Sequence, residues 1–430
     1  AMNVLVLGCG AKDHAIAWWF SKSKLIEGLY IAPGNPGTGD FAINADIDPS
    51  DKEAVLKLCK SYNIDFVFIG TEAPLVTGVV DYLNANKIAT FGAPSYALPI
   101  EANRKFSREF ASRHGVPMPH YETFENTKDL SSYLKKHEGI TYTIKPNDLS
   151  PSRIMTISDN YDALMIYAEK LLEKGPILLE EYMEGLSATA SILMDEDSYV
   201  VLPICSEYTK REHTDKHVGV ATGGMGAVCP LALSQEIIQM VRNSIVIPTV
   251  EGLKKEKLSY KGVLTMSVII NDKGSYLVDY HVRLNDPATQ AIVPLVKNDL
   301  VEIMQAILDN NLKNITIETT NESTVSVVVA SDGYPLSPVT GVPVSPIPAV
   351  KLRNAIESSK ALVFFGAMEQ NKEKTFYYTT GGRVATVVGI GNNIIEANEK
   401  AYEAIDVVSF DGAWYRKDIG NKFFESTTRK

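Results

Sequence analysis

Met2-Asn3-Val4-Leu5-Val6-Leu7-Gly8-Cys9-Gly10 is the stretch on which the reading of this chain turns. An apolar run too short for a helix ends in two glycines, the pattern of a buried strand turning sharply into a helix. The helical pattern follows at once, over residues 14–20. Outward from there the alternation continues. Residues 28–31 are extended, and Pro33-Gly34-Asn35-Pro36-Gly37 is turn chemistry. Residues 51–62 are helical with Ala54, Leu58 and Tyr62 on one face, 65–69 form a strand ended by Gly70, and 75–84 are helical again. Strand, helix, strand, helix with short glycine-rich joints predicts a doubly wound α/β unit. Ligands of such sheets sit beyond the carboxyl ends of the strands, where residues 8–10, 33–38 and 70–74 should gather.

From residue 101 the rhythm changes. Residues 104–114 form a charged amphipathic helix, 141–145 a strand, 162–173 a helix and 177–182 a strand. Residues 187–280 are mainly β, with one long helix near 235–254 and a hairpin of 263–270 and 275–283. A last unit from 322 carries strands at 324–330 and 384–388 and a helix at 392–407. The 430 residues are 45% hydrophobic and 22% charged, a globular composition too long for one core. The net charge of −10 makes nucleic acid and anionic membrane poor partners, and no apolar run approaches a membrane span. The 4 cysteines are scattered without a CxxC pair, which points to a reduced, cytoplasmic setting.

Three constellations carry chemistry. The turn at Gly8 and Gly10 suits a phosphate, but Asp13 stands where the third glycine of GxGxxG belongs, which disfavours a nicotinamide dinucleotide. A generic phosphate or substrate pocket and a plain tight turn both stay open. In Val278-Asp279-Tyr280-His281-Val282-Arg283, period-two geometry puts Asp279, His281 and Arg283 on one face and the other three on the opposite face. Asp and His can ligate a divalent metal and Arg can clamp a carboxylate or phosphate, although a polar edge strand has the same pattern. Thr222-Gly223-Gly224-Met225-Gly226-Ala227 reads as a glycine turn, for backbone contact with an anion or for close packing. His213 and His217 would share a helical face with metal-ligand spacing, but Thr214-Asp215 and Val218-Gly219 argue against a helix there.

Taken together, the segments resemble the phosphoribosylamine–glycine ligase family of ATP-grasp enzymes. The resemblance rests on VLVLGCGAKDHA from Val4, APGNPGT from Ala32, IGTEAPLVTGVVD from Ile69, TGGMGA from Thr222, RLNDPATQ from Arg283 and TGGRV from Thr380, in family order. It implies a pre-ATP-grasp domain (1–100), an ATP-grasp part with a lid (101–186), an ATP-grasp core (187–321) and a small C-terminal domain (322–430). It also implies a reaction in purine biosynthesis: ATP activates glycine as an acyl phosphate and the nitrogen of 5-phosphoribosylamine attacks it. The partners are then small molecules, the cofactors ATP and Mg²⁺ or Mn²⁺, and the protein a cytoplasmic monomer or dimer.

The resemblance also distributes roles. Gly10, Asp13, His14, Asn35, Gly37, Thr38, Glu72, Gly223 and Gly224 would bind substrate. Arg104, Lys145, Arg153, Glu180 and Glu181 would hold the nucleotide, Asp279 and His281 the metal, and Arg283 the carboxyl substrate, with Asp215 the second catalytic residue. This chain departs from the family in a patterned way. The lid has no glycine between Lys145 and Met155. The family's Glu-x-Asn metal pair is Asp279-x-His281, its acid and hydroxyl near the amino acid are His217 and Val218, and its Gly-Glu-Glu is Gly185-Leu186-Ser187. Two alternatives therefore accompany the glycine ligase: a paralogue acting on another carboxylate, and a pseudo-ligase that binds a phosphoribosyl compound without ATP chemistry.

Overall fold

The computed structural model describes residues 1–148, 156–211 and 221–424. The opening run is the middle strand of a parallel sheet ordered Ile43–Asn44, Ile26–Pro33, Met2–Gly8, Phe66–Ile69, Thr90–Phe91. Val4, Leu5, Val6 and Leu7 are all buried, because helices cover both faces of a parallel sheet. The helix Lys52–Ser61 begins where the Asp51 side chain accepts from the Ala54 amide. It buries Val55, Leu56 and Cys59 rather than the expected stripe of Ala54, Leu58 and Tyr62. Both stripes have helical spacing, and the sheet beneath selects between them. The helix expected over 75–84 is two, Ala73–Val76 and Val79–Ala85, divided at Gly78 with φ +80°.

A second sheet, ordered Tyr121–Phe124, Ile177–Glu181, Tyr142–Pro146, Thr156–Ser158, carries the helices Thr127–Lys136 and Tyr161–Leu172 on a small core of its own. A third runs Tyr199–Val201, Leu186–Met194, Gly262–Asn271, Gly274–His281, all antiparallel. Its side chains Ala188, Leu264 and Tyr280 share one hydrophobic cluster with Leu5 and Leu7 of the first sheet. The long helix runs from Gln235 to Lys255 with a π-turn at Arg242–Val246.

The fourth sheet is ordered Ser206–Lys210, Ala221–Cys229, Ser323–Ala330, Arg383–Gly391, Leu362–Phe365. Pairs from Gly226↔Val327 to Cys229↔Thr324 cross the division expected at 321/322, so the C-terminal unit completes a sheet begun in the preceding one. The glycine turn expected at 222–227 is part of the strand Ala221–Cys229. Its glycines answer to close packing. A Cβ on Gly224 would lie 2.3 Å from the Asp286 carbonyl oxygen, and one on Gly226 would meet Ile419. Among the described residues no helix is long and apolar enough to cross a membrane.

Candidate active site

The hairpin Gly262–Asn271/Gly274–His281 places the most informative strand. Ser267 pairs with Asp279 and Val268 with Leu277, so Val278 is an extra residue in the ladder. The bulge corrects the expected alternation: Leu277, Tyr280 and Val282 are buried in the core, while Val278 joins Asp279, His281 and Arg283 on a cleft of about 360 Å³. Arg104, Lys145, Glu72, Gly223 and Gly224 line the same cleft, as do Thr189, Glu207, Asn285, Asp286 and Arg383.

One charge group joins three chain segments. Asp279 Oδ1 faces Arg104 Nε and Arg108 Nη2, each at 3.2 Å, and its Oδ2 faces Lys145 Nζ at 3.3 Å. Glu180 takes Arg108 at 3.0 Å and Lys145 at 3.1 Å, and Arg108 also donates to the Val278 carbonyl. Burial alone would raise the Asp279 carboxyl; Lys145, then Arg104, Arg108 and His281, outweigh it and hold the group well below the usual carboxylate range. Three cations against two carboxylates leave one positive charge in excess.

A second group surrounds Glu101. Its Oε1 accepts the Val282 amide at 3.0 Å, and its Oε2 lies 3.1 Å from His281 Nδ1 and 3.4 Å from Arg283 Nη2. Arg283 also pairs with Glu72 at 2.6 Å. Arg383 donates to the carbonyls of Gly224 (3.2 Å) and Asp286 (3.0 Å) and lies 3.7 Å from the Asp286 carboxylate. Glu207 accepts from Thr189 and Asn285, and burial raises its carboxyl above the ordinary value against the pull of Asn285 and His281.

The N-terminal residues lie beside this cleft more than in it. Asp13 caps its own helix by accepting the Gly10 amide at 3.0 Å, in the space a phosphate would take in a dinucleotide fold, and burial lifts its carboxyl to about 6. Lys12 donates to the Leu284 carbonyl at 3.1 Å, tying this turn to the RLND segment. His14 accepts the Phe365 amide at 2.8 Å among Phe41, Phe364 and Phe365, and burial with the nearby Arg353 charge lowers it to about 3. Gly37 packs against the His14 ring, where a Cβ would lie 2.3 Å from its Cε1. Asn35 bonds the carbonyls of Cys9 and Phe365 and accepts from Gly37 and Thr38. His14, Asn35, Gly37 and Thr38 thus join the first sheet to the C-terminal unit. Glu181 is half-buried with its amide on the His120 carbonyl, away from the cleft lining.

Arg153 and Asp215, with His213, His217 and Val218, lie outside the described residues. As placed, Asp279 does not fit a divalent cation, because both its oxygens face cations, and the imidazole of His281 suits a hard cation poorly. Among the described residues no three His, Cys, Asp or Glu side chains are grouped to hold a metal. Arg108, Glu101, Glu207 and Arg383 were missed by sequence reasoning. Arg108 had a signal, since it stands four residues after Arg104 on the same helix face. Arg383 also had one, as the arginine of the TGGRV segment, whereas Glu101 and Glu207 find their partners away from their own neighbourhood and nothing local marks them.

The description "Phosphoribosylglycinamide synthetase, N domain" matches residues 2–101, its ATP-grasp (A) domain 102–289 and its C domain 324–422. The chain is 32% identical to the phosphoribosylamine–glycine ligase of Neisseria meningitidis serogroup B, over 98% of this chain and 99% of that protein. The corresponding protein of Clostridium acetobutylicum is 33% identical over 97% and 99%. Among solved structures, phosphoribosylamine–glycine ligase from Thermotoga maritima superposes with a TM-score of 0.80 at 26% identity, covering 97% of this chain and 99% of that one.

Proposed function

This chain belongs to the phosphoribosylamine–glycine ligase family, and from that membership we propose how its own residues serve the reaction. The family joins glycine to 5-phosphoribosylamine in purine biosynthesis, and ATP supplies the phosphoryl group that activates the carboxylate. Arg104 and Lys145 are the phosphate contacts on this reading. The observation that carries it is the excess positive charge of the Arg104–Arg108–Lys145 group at the cleft, which an incoming polyphosphate would neutralise by drawing Lys145 and Arg104 off Asp279. Arg108, fully buried, stays as the anchor that keeps Asp279 and Glu180 in register. Arg283 orients the carboxyl substrate. Gly223 and Gly224 stay as substrate-binding candidates because they line the cleft, and Glu72 positions Arg283.

ATP-grasp domains use ATP with a divalent cation; since Asp279 and His281 do not fit one, no step here runs through it. We also read the chain as four units, 1–100, 101–186, 187–321 and 322–430, and as a cytoplasmic monomer or dimer acting on small molecules. A second reading, the same architecture with another carboxylate substrate, draws on the commitment of Asp279 to Lys145 and of His281 Nδ1 to Glu101. The deciding assay is ADP release from the purified chain with ATP, Mg²⁺, glycine and phosphoribosylamine generated in situ. Release that needs both co-substrates is the expected result. Release that needs the amine but ignores glycine would move the assignment to the second reading.

A further inference from the structure

We propose that Glu207 is the seat for the ammonium group of the amino-acid substrate, an inference that rests on the ligase reading above. The carboxylates lining the cleft are Glu72, Glu207, Asp279 and Asp286. Glu72 faces Arg283 at 2.6 Å, Asp286 faces Arg383 at 3.7 Å, and Asp279 faces Arg104, Arg108 and Lys145 at 3.2, 3.2 and 3.3 Å. Among the described residues, Glu207 alone of these four has no cationic partner. Its Oε2 accepts from Thr189 Oγ1 at 3.2 Å and from Asn285 Nδ2 at 3.0 Å. Its Oε1 is buried and receives no hydrogen bond among the described residues.

A buried carboxylate oxygen left without a donor is costly, and a primary ammonium, three donors and no acceptor, is the group that completes it. The opposite vacancy lies on the same segment. Among the described residues Arg283 Nε is buried without an acceptor, although Arg283 Nη2 is engaged by Glu72 and Glu101. Asn285, two residues beyond Arg283, is what holds Glu207 Oε2. The cleft thus presents one unmet acceptor and one unmet donor on groups tied together through residues 283–285. A zwitterion with ammonium and carboxylate on one carbon answers both: its ammonium on Glu207 Oε1, its carboxylate toward Arg283 Nε. Specificity for an α-amino acid over the acid lacking the amine follows from the charge on Glu207.

The test uses the full chain in the ADP-release assay with glycine and with acetate, its counterpart without the amine, for wild type, Glu207→Gln and Glu207→Asp. Wild type should turn over glycine and ignore acetate. Glu207→Gln should raise the KM for glycine about 10- to 100-fold, the loss of one charge-assisted hydrogen bond. The KM for ATP and the Mg²⁺ requirement should stay within about twofold, and Glu207→Asp should recover part of the glycine affinity. An unchanged glycine KM in Glu207→Gln would overturn the inference, as would equal use of acetate. A raised Mg²⁺ requirement in place of a raised glycine KM would overturn it too, making Glu207 a metal ligand. So would a lowered unfolding midpoint with every KM raised, which marks a structural role. No turnover of either acid by wild type would sink the ligase reading and this inference with it; turnover by wild type and Glu207→Gln alike would sink the inference alone.

Discussion

Glu101 shows what one buried carboxylate can organise. It lies in the short helix Pro99–Ala102 and takes the Val282 amide on one oxygen and His281 and Arg283 on the other. Burial by itself would raise its carboxyl; Arg283, then His281 and the Val282 amide, bring it down to about 2. A folded-state value below the unfolded one means that the stabilisation is fully present above the ordinary glutamate range and is lost as pH falls toward 2. Wild type should therefore lose on the order of 3 kcal/mol of unfolding free energy from this group between about pH 5 and pH 2. Glu101→Gln should be less stable at neutral pH and show a flatter acid limb in urea titrations. An acid limb as steep as that of wild type would rule out this origin. Sequence reasoning could not have found Glu101, because its three partners lie about 180 residues away.

Within the strand Ala221–Cys229, the glycines are not equivalent. A Cβ at Gly224 would collide with the Asp286 carbonyl oxygen and Pro287 Cδ, each 2.3 Å away, and the carbonyl cannot move without shifting the segment that carries Arg283. A Cβ at Gly226 would have Ile419 Cδ1, Cγ1 and Cγ2 as its three nearest atoms, at 2.5–2.9 Å, side chain rather than backbone. Gly224→Ala should thus cost about 1–3 kcal/mol by overpacking and depress activity, with Gly226→Ala clearly milder. Thermal unfolding and the ADP assay compare the two, and a Gly226→Ala variant as damaged as Gly224→Ala would contradict the ordering. The dense glycines were legible as a signal for close approach; that they lie in a strand was not, because such a run carries no side-chain periodicity to read.

Across the whole molecule, the joint between the first sheet and the C-terminal unit rests on Asn35. This buried side chain donates to the Phe365 carbonyl at 2.7 Å and the Cys9 carbonyl at 3.0 Å, and accepts the Gly37 and Thr38 amides at 2.9 and 3.2 Å. Asn35→Ala removes four hydrogen bonds and strands up to three backbone groups, since the Thr38 amide keeps the Asn35 carbonyl, so unfolding free energy should fall by about 2–4 kcal/mol. Denaturant unfolding measures it, and a loss below about 0.5 kcal/mol, as at an ordinary surface site, would show that water or a relaxed turn replaces those bonds. The His14 ring, sequestered among phenylalanines at the same joint, belongs with Asn35 in this role.

By itself, the sequence determined the alternating α/β frame, the turns at Gly8–Gly10 and 33–37, and the hairpin that carries Asp279, His281 and Arg283 to one cleft. Those features follow from local rules: side chains repeat every two residues in a strand and every 3.6 in a helix, and glycine and proline punctuate the joints. Only the tertiary structure decided the rest. It inserted Val278 as a bulge, ran one sheet through the 321/322 division, set Asp279 against Lys145 and His281 against Glu101, and left Glu207 as the cleft carboxylate without a cation among the described residues. Periodicity fixes which face of an element a charge occupies. Which opposite charge it meets is set by other elements, 35 residues away for Lys145 and Glu180 and 175 for Arg104 and Asp279, and local patterning holds no record of that meeting.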